Sequence, residues 1–285
     1  MAAAAGLAAE ALRDSDPDRY LSILYAPQDK RSALSTLYLF NAEIASIRDR
    51  ISEPLTGEIR LQWWREALAG GGEAVAGHPV AEPLVEVIRT YELPLAAFEC
   101  YLEARLFDLY DDPMPSRTDL EGYCGETASA IIQLAALILE PEAAPAFAAA
   151  AGHAGCAQAI AGLLRLLPIH AARGQCYVPA DILAASGTAR DEFVAGTNRE
   201  AAMRAVAAMV ALGREHDARF RREARDMPAS LRPAFLPASL ARPYLDRISQ
   251  EKFDPFKDIG QISAWRRHWT LLRHATRGWR DISLT

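Results

Sequence analysis

An all-α fold is what this 285-residue chain predicts, and three observations predict it. Its composition suits helices: 55 alanines, and 28 arginines against three lysines, are residue types that sit in helices at little cost. Apolar residues recur at three- and four-residue spacings, and no segment alternates apolar and polar with a period of two between turns. The separators are short and carry turn chemistry, as in Asp111-Asp112-Pro113-Met114-Pro115, Glu140-Pro141-Glu142 and Asp254-Pro255-Phe256. None resembles an interdomain linker, so one domain over residues 1–285 is expected.

The elements follow in order. Residues 1–12 are alanine-rich, carry Glu10 and precede Arg13 and Asp14 with no basic stretch ahead, which reads as the start of a helix and not as a signal peptide. Over 32–50, Leu34, Leu37, Tyr38, Ala42, Ile44, Ala45 and Ile47 fall on one broad face, the pattern of a buried helix. Ser52-Glu53-Pro54 interrupts it, and 57–68 resumes with Ile59, Leu61, Trp63, Trp64 and Leu68 before Gly70-Gly71-Gly72 ends the run. Further helices are predicted over 79–92, 94–110, 119–139, 145–167, 179–186, 191–226, 230–249 and 262–281. The last places Ile262, Trp265, Trp269, Leu272 and Trp279 at helical spacing, with Arg266, Arg267, Arg273, Arg277 and Arg280 among them. Two readings stand for it: an interfacial helix on a membrane or an acidic partner, or tryptophans packed on the bundle beneath a solvated arginine face.

Composition excludes several classes. An apolar share of 51% with a mean hydropathy of −0.04 can fill a core, which rules out a disordered, collagen-like or disulfide-stapled chain. Thirty-seven acidic against 31 basic residues leave a net charge of −6, so no overall field draws a polyanion and no nucleic-acid partner is expected. Cys100, Cys124, Cys156 and Cys176 are far apart and read as reduced thiols, mostly core filler, which implies a cytoplasmic setting. The longest strongly apolar stretch, 128–139, is short of the ~20 residues a bilayer span needs. No nucleophile elbow, phosphate loop, zinc motif or dinucleotide fingerprint occurs.

Three segments carry a more specific signal. The first is Tyr25-Ala26-Pro27 through Arg31, then Leu37-Tyr38-Leu39-Phe40, then Trp63 or Trp64 before Leu68. The second is Asp108 with Tyr123-Cys124 fifteen positions on. The third is Gly155-Cys156-Ala157, Arg165, Gly174 and Tyr177-Val178-Pro179-Ala180-Asp181. In this order they resemble the squalene/phytoene synthase family, all-α enzymes that join two prenyl diphosphates head to head. The resemblance covers about residues 20–250 and implies the isoprenoid-synthase helical bundle around a central cavity.

That chemistry uses two aspartate-rich helical motifs, because each diphosphate is held through magnesium ions bridged by carboxylates. In the first motif the family spacing puts carboxylates five and nine residues after Phe40, where this chain has Ala45 and Asp49. Asp49 is thus the one metal-ligand candidate left there, and Glu43, six residues earlier, points to a different face. In the second motif, aspartates are expected directly after Arg165 and four residues later. The chain reads Arg165-Leu166-Leu167-Pro168-Ile169-His170, with Pro168 disturbing the helix as well.

The strings Phe40-Asn41-Ala42-Glu43-Ile44-Ala45, Arg48-Asp49, Ser52-Glu53, Gln62-Trp63-Trp64-Arg65 and Arg165 to His170 resemble the divergent branch of the family that contains a respiratory complex I assembly factor. This resemblance implies a non-catalytic role in complex I assembly, with complex I subunits or assembly proteins as partners and an isoprenoid or other lipid as ligand. No cofactor is expected on that reading. The alternative is an active prenyltransferase using Mg2+.

Candidate site residues follow, each beside its structural alternative. Asn41, Glu43 and Asp49, with Arg48, would bind a polar head group or form a buried network that stabilises the bundle. Trp63 and Trp64 would contact a prenyl chain or a cation, or fill the core. Arg165, His170 and Arg173 would form an anion pocket, or Arg165 is structural and His170 half-exposed. Tyr177 joins the ligand candidates, although Tyr177-Val178-Pro179 also shapes a turn into a helix whose first turn holds Asp181. The localisation implied is cytoplasmic, peripheral on the inner face of the cytoplasmic membrane.

Overall fold

A computed structural model of the chain describes residues 2–110, 112 and 114–279. Among them the regular structure is helical, with no strand, as expected for the isoprenoid-synthase helical fold. Helices α1 (Ala2–Ser15) and α2 (Pro17–Ile23) come first. The second was not anticipated. Asp16 caps it by accepting from the Arg19 amide at 3.0 Å, and Pro17 supplies a first-turn residue with no amide to satisfy. Helix α3 (Arg31–Ala45) stops five residues short of its expected end, where the Ser46 hydroxyl donates to the Glu43 carbonyl at 2.8 Å. Asp49 therefore sits on a separate 3-10 turn, Arg48–Arg50. Ala45, expected on the buried face, is exposed, whereas Leu34, Leu37, Tyr38, Ile44 and Ile47 are buried.

Next come α4 (Pro54–Gly70), α5 (Ala81–Thr90) and α6 (Leu95–Ala104), the last followed by a 3-10 turn over Arg105–Leu109. On α4, Leu61, Trp64 and Leu68 are buried, but Ile59 faces solvent. Asp111 and Pro113 of the anticipated turn lie outside the described residues. The span expected as one helix from 119 to 139 is α7 (Arg117–Cys124), a π-helical turn (Gly125–Ser129) and α8 (Ala130–Leu139). Helix α9 (Ala148–Arg165) then gives way to α10 (Leu167–Ala172), because Pro168 has no amide to continue the first and fits the start of the second.

Helix α11 (Ala180–Ser186) precedes α12 (Arg190–Ala195) and α13 (Arg199–Glu223), which divide the helix expected over 191–226. Gly196 takes the left-handed conformation at φ 64°, and the Asn198 side chain caps the next helix by accepting from the Ala201 amide. Two prolines likewise divide 230–249 into α14 (Arg232–Phe235), a 3-10 segment (Leu236–Leu240) and α15 (Ala241–Ile248). Helix α16 (Ala264–Arg277) ends at Gly278; Arg280 and Asp281, the last part of the helix expected there, lie outside the described residues.

The helices group into two compact units. Unit one comprises Met1–Tyr110, Ala130–Ala148 and Pro228–Pro237. At its centre α3 packs on α1, α2, α5 and α8, and α4 packs on α5 and α6. Its core is aromatic: Phe40 meets Trp64 edge-on at 5.1 Å, Tyr101 at 5.3 Å and Phe98 at 5.6 Å. Unit two comprises Asp111–Ser129, Ala149–Met227 and Ala238–Thr285, with α13 packed on α11, α12 and α15.

Two helical runs, Arg117–Leu139 and Ala144–Arg165, match a membrane span by length and composition, which the 12 residues of 128–139 do not. They also match core helices, and 61% and 50% of their apolar windows are buried inside the protein. Around Ser129 they are in direct contact, its hydroxyl donating to the Gly152 carbonyl at 3.0 Å.

Candidate functional site

Three sequence candidates converge in unit one. Glu43 near the end of α3 and Trp63 and Trp64 on α4 line an open cavity of about 210 Å3, together with Ile47, Arg50, Arg60 and His78. His78 lies in the loop before α5, and its Nδ1 accepts the amides of Val80 and Ala81 at 3.2 and 3.0 Å. With Nδ1 used as an acceptor, the ring proton sits on Nε2, which faces the Glu43 carboxylate at 3.7 Å. The imidazole packs against both indoles, 4.9 Å from Trp63 and 5.4 Å from Trp64, which are themselves 5.2 Å apart.

The two tryptophans have different surroundings. Trp64 is 2% exposed and belongs to the aromatic core, while Trp63 is 36% exposed and forms the open wall. Aromatic faces beside one carboxylate and two guanidinium groups suit a small polar or charged group. The volume is below the roughly 300–1,000 Å3 of pockets that enclose a whole drug-sized ligand. His78 and Arg50 were not singled out in the sequence, because they come from a loop and a turn that periodicity does not describe, and Arg60 has the pattern of an exposed charge on α4.

The remaining unit-one candidates sit elsewhere. Asn41 is buried, and its Oδ1 accepts a hydrogen bond from the Tyr101 hydroxyl at 3.1 Å. Asp49 is exposed on its 3-10 turn. Among the described residues no group of three or more His, Cys, Asp or Glu side chains is placed to hold a metal ion. The converging carboxylates that a magnesium cluster takes are not assembled, so these residues do not fit the Mg2+ that the enzymatic reading would require.

In unit two, Arg165 is the last residue of α9, and its guanidinium lies 4.0 Å over the Tyr244 ring. His170 belongs to α10 and packs 4.9 Å from Tyr177, which lies 6.3 Å from Tyr123. Arg173 is exposed at the end of α10. Asp181 stands in the first turn of α11, where its Oδ2 accepts the Arg117 amide at 3.0 Å.

A second cluster in unit two was not legible as a site, since its members come from three separate helices, although Cys124 and Cys156 lie in segments that carry the family resemblance. Its Cys156 is on α9, His216 on α13, and Cys124 and Glu121 on α7. His216 Nε2 lies 3.0 Å from a Glu121 carboxylate oxygen, and its Nδ1 lies 3.0 Å from Nδ1 of His153. The hydrogen bond with Cys124 and the neighbouring His216 hold the Cys156 thiol below the ordinary cysteine range. Burial alone would lower His216, but Cys156 and Glu121 outweigh it and the imidazole is raised. Burial, and then the charge of His216, lower His153. Together these side chains form a largely buried cysteine–histidine–carboxylate cluster, with Cys156 at 6% exposure. Cys124 and Cys176 are buried as expected; Cys100 is exposed.

Comparison with known proteins places these features. The family model described as squalene/phytoene synthase matches residues 12–273. Assembly factor 6 of NADH dehydrogenase (ubiquinone) complex I from Bos taurus is 30% identical over 275 residues, covering 91% of this chain and 81% of that protein. The bifunctional protein CrtB/UppS of Streptomyces coelicolor is 31% identical over 165 residues, 56% of this chain and 29% of its own length. A dehydrosqualene synthase crystal structure superposes with a TM-score of 0.78 over 96% of this chain and 95% of its own, at 18% identity.

Proposed function

Because this chain belongs to the squalene/phytoene synthase family, we propose that it keeps the family's helical fold without its prenyl transfer and serves the assembly of respiratory complex I. The observation that carries this reading is the break at Pro168. The helix that would present the second aspartate-rich motif ends at Arg165, and the two aspartate positions hold an exposed Leu166 and a His170 packed on Tyr177. Ala45 replaces a carboxylate of the first motif. Paired diphosphates bring several negative charges into one pocket, and without those carboxylates few ligands remain to hold magnesium against them. The similarity to the bovine assembly factor, over nine-tenths of this chain, supports the same reading.

The working surface of this role includes the unit-one cavity, where Trp63, His78, Glu43 and the two arginines take the polar end of an isoprenoid or other lipid. The protein acts in the cytoplasm on complex I subunits or their assembly proteins, with no cofactor. The second reading, magnesium-dependent condensation of two prenyl diphosphates, draws on the Streptomyces match and on Asp49.

One experiment separates the two. The gene is deleted in its native host, and complex I is followed by NADH:quinone activity and native gels. Deletion is expected to lower assembled complex I, and both wild type and Asp49→Asn should restore it. The purified protein should form no hydrocarbon product from farnesyl or geranylgeranyl diphosphate with magnesium. Normal complex I in the deletion strain refutes the assembly role. Magnesium-dependent turnover lost in Asp49→Asn establishes the enzyme.

A further inference from the structure

Helix α16 presents two rows of side chains outward that its own packing does not use. Successive residues turn by about 100°, so Trp265, Trp269, Leu272 and Thr276 form one row and Arg266, Arg273 and Arg277 form the next. The opposite side holds the helix to unit two: Leu271 and His274 are buried, as is Trp279 just beyond the helix, which meets Phe220 edge-on at 5.0 Å. Arg267 also turns inward and donates to the Tyr244 hydroxyl at 3.4 Å. Of the apolar residues expected on one interfacial face, Ile262 and Trp279 are therefore packing residues, and the outer row is shorter.

That outer row is the more exposed for it. Trp265 is 76% exposed, Trp269 55% and Leu272 44%, and the two indoles stack at 6.1 Å with 16° between their planes. No acidic residue occurs in α16, in a chain whose net charge is −6. Arg266 keeps an ion pair with Asp246 at 3.5 Å, whereas Arg273 and Arg277 point to solvent.

We propose that this face of α16 docks on an anionic phospholipid bilayer. Trp265, Trp269 and Leu272 enter the boundary between head groups and acyl chains, and Arg273 and Arg277, with Arg266, lie against the phosphates. Two features favour lipid over a protein partner. At their exposures the two indoles and the leucine offer roughly 300–400 Å2, taking ~150–250 Å2 per whole aromatic side chain, short of the ~800 Å2 each partner gives to a stable protein interface. A bilayer needs no such matched surface, because its affinity adds apolar area to the attraction between arginines and anionic head groups. Indole, apolar in body with one polar N–H, also suits that boundary. The docking does not depend on the assembly role.

The test is flotation of the full-length protein with vesicles of phosphatidylcholine alone and of phosphatidylcholine mixed with phosphatidylglycerol, with poly-glutamate as a soluble acidic competitor. Wild type is expected to float with the mixed vesicles, not the neutral ones. Trp265→Ser with Trp269→Ser should abolish flotation while circular dichroism stays native, since both side chains are exposed. Arg273→Gln with Arg277→Gln should weaken partition roughly 30-fold, at about 1 kcal/mol per arginine near the surface. Failure of wild type to float with mixed vesicles, or equal flotation of wild type and both variants, overturns the proposal. So does binding to poly-glutamate without binding to vesicles, which would assign the face to an acidic protein.

Discussion

Replacing Gly155 by alanine adds a methyl group where unit two has no space for one. A Cβ built on Gly155 would stand 2.1 Å from Ser129 Oγ, 2.4 Å from its amide nitrogen and 2.5 Å from its Cα. The hydroxyl can rotate away, but the other two atoms are backbone. Ordinary contact begins at 3.4 Å, so α9 and the π-helical turn must part by the difference between 3.4 and 2.4 Å, about 1 Å. That movement also strains the hydrogen bond from Ser129 to the Gly152 carbonyl. Overpacking of this kind costs about 1–3 kcal/mol and a weakened hydrogen bond about 1 kcal/mol, against about 1 kcal/mol gained from alanine's better helix propensity. The expected net loss is about 1–3 kcal/mol. Gly152, one turn earlier on the same helix, has nothing within 4 Å of an added Cβ. Gly152→Ala should therefore keep the propensity gain alone and stabilise by up to about 1 kcal/mol. Urea unfolding followed by circular dichroism compares the two. Equal midpoints would refute the argument, since sequence position and helix propensity are nearly the same and only the approach of Ser129 differs.

Four further outcomes are expected. Burial holds His274 at about 4, against 6.5 in the unfolded chain, although its hydrogen bond to the Gly278 carbonyl raises it in part. The unfolded chain thus takes up this proton first, so the stability His274 contributes is complete above about pH 6.5 and falls as pH drops toward 4, by about 3 kcal/mol in all. Urea titrations at both ends of that range should show a smaller pH-dependent loss in His274→Phe than in wild type; an unchanged loss would remove His274 as its source. Asn41→Leu should cost about 1–3 kcal/mol by taking an acceptor from the buried Tyr101 hydroxyl, and adding Tyr101→Phe should recover much of it, as a double-mutant cycle would show. Trp64→Ala should cost about 3–5 kcal/mol as a core deletion. Trp63→Ala should leave the thermal midpoint nearly unchanged while lowering complex I recovery in the deletion strain; full recovery would show that the open wall of the cavity has no part in function.

The members of the unit-one cavity show how far a site can be read from a sequence. Glu43, Trp63 and Trp64 drew attention because polar and aromatic residues stood out on otherwise apolar helices. His78 completes the cavity through a local effect, its side chain accepting the first amides of α5, which places the imidazole against two indoles from another helix. Arg50 reaches it only because α3 ends at Ala45 and the chain turns. A longer α3, as the apolar pattern implied, would have carried Asp49 and Arg50 on round the helix.

What the sequence alone determined is what depends on local periodicity and composition. The all-α class, most helix locations, the break at Pro168 and the family were legible, because propensity, apolar spacing and the missing proline amide act within a few residues. Helix ends were less legible, since Ser46, Gly196 and Asn198 act through single hydrogen bonds and one left-handed backbone, features a periodic pattern does not register. Only the tertiary structure decided which apolar residues of α16 stay outside, because Trp265 and Trp279 have the same chemistry and differ in whether Phe220 lies against them. It alone brought Cys156, His216 and Glu121 together from three helices, for burial and charge coupling depend on distance in space, and the sequence holds those residues up to 95 positions apart.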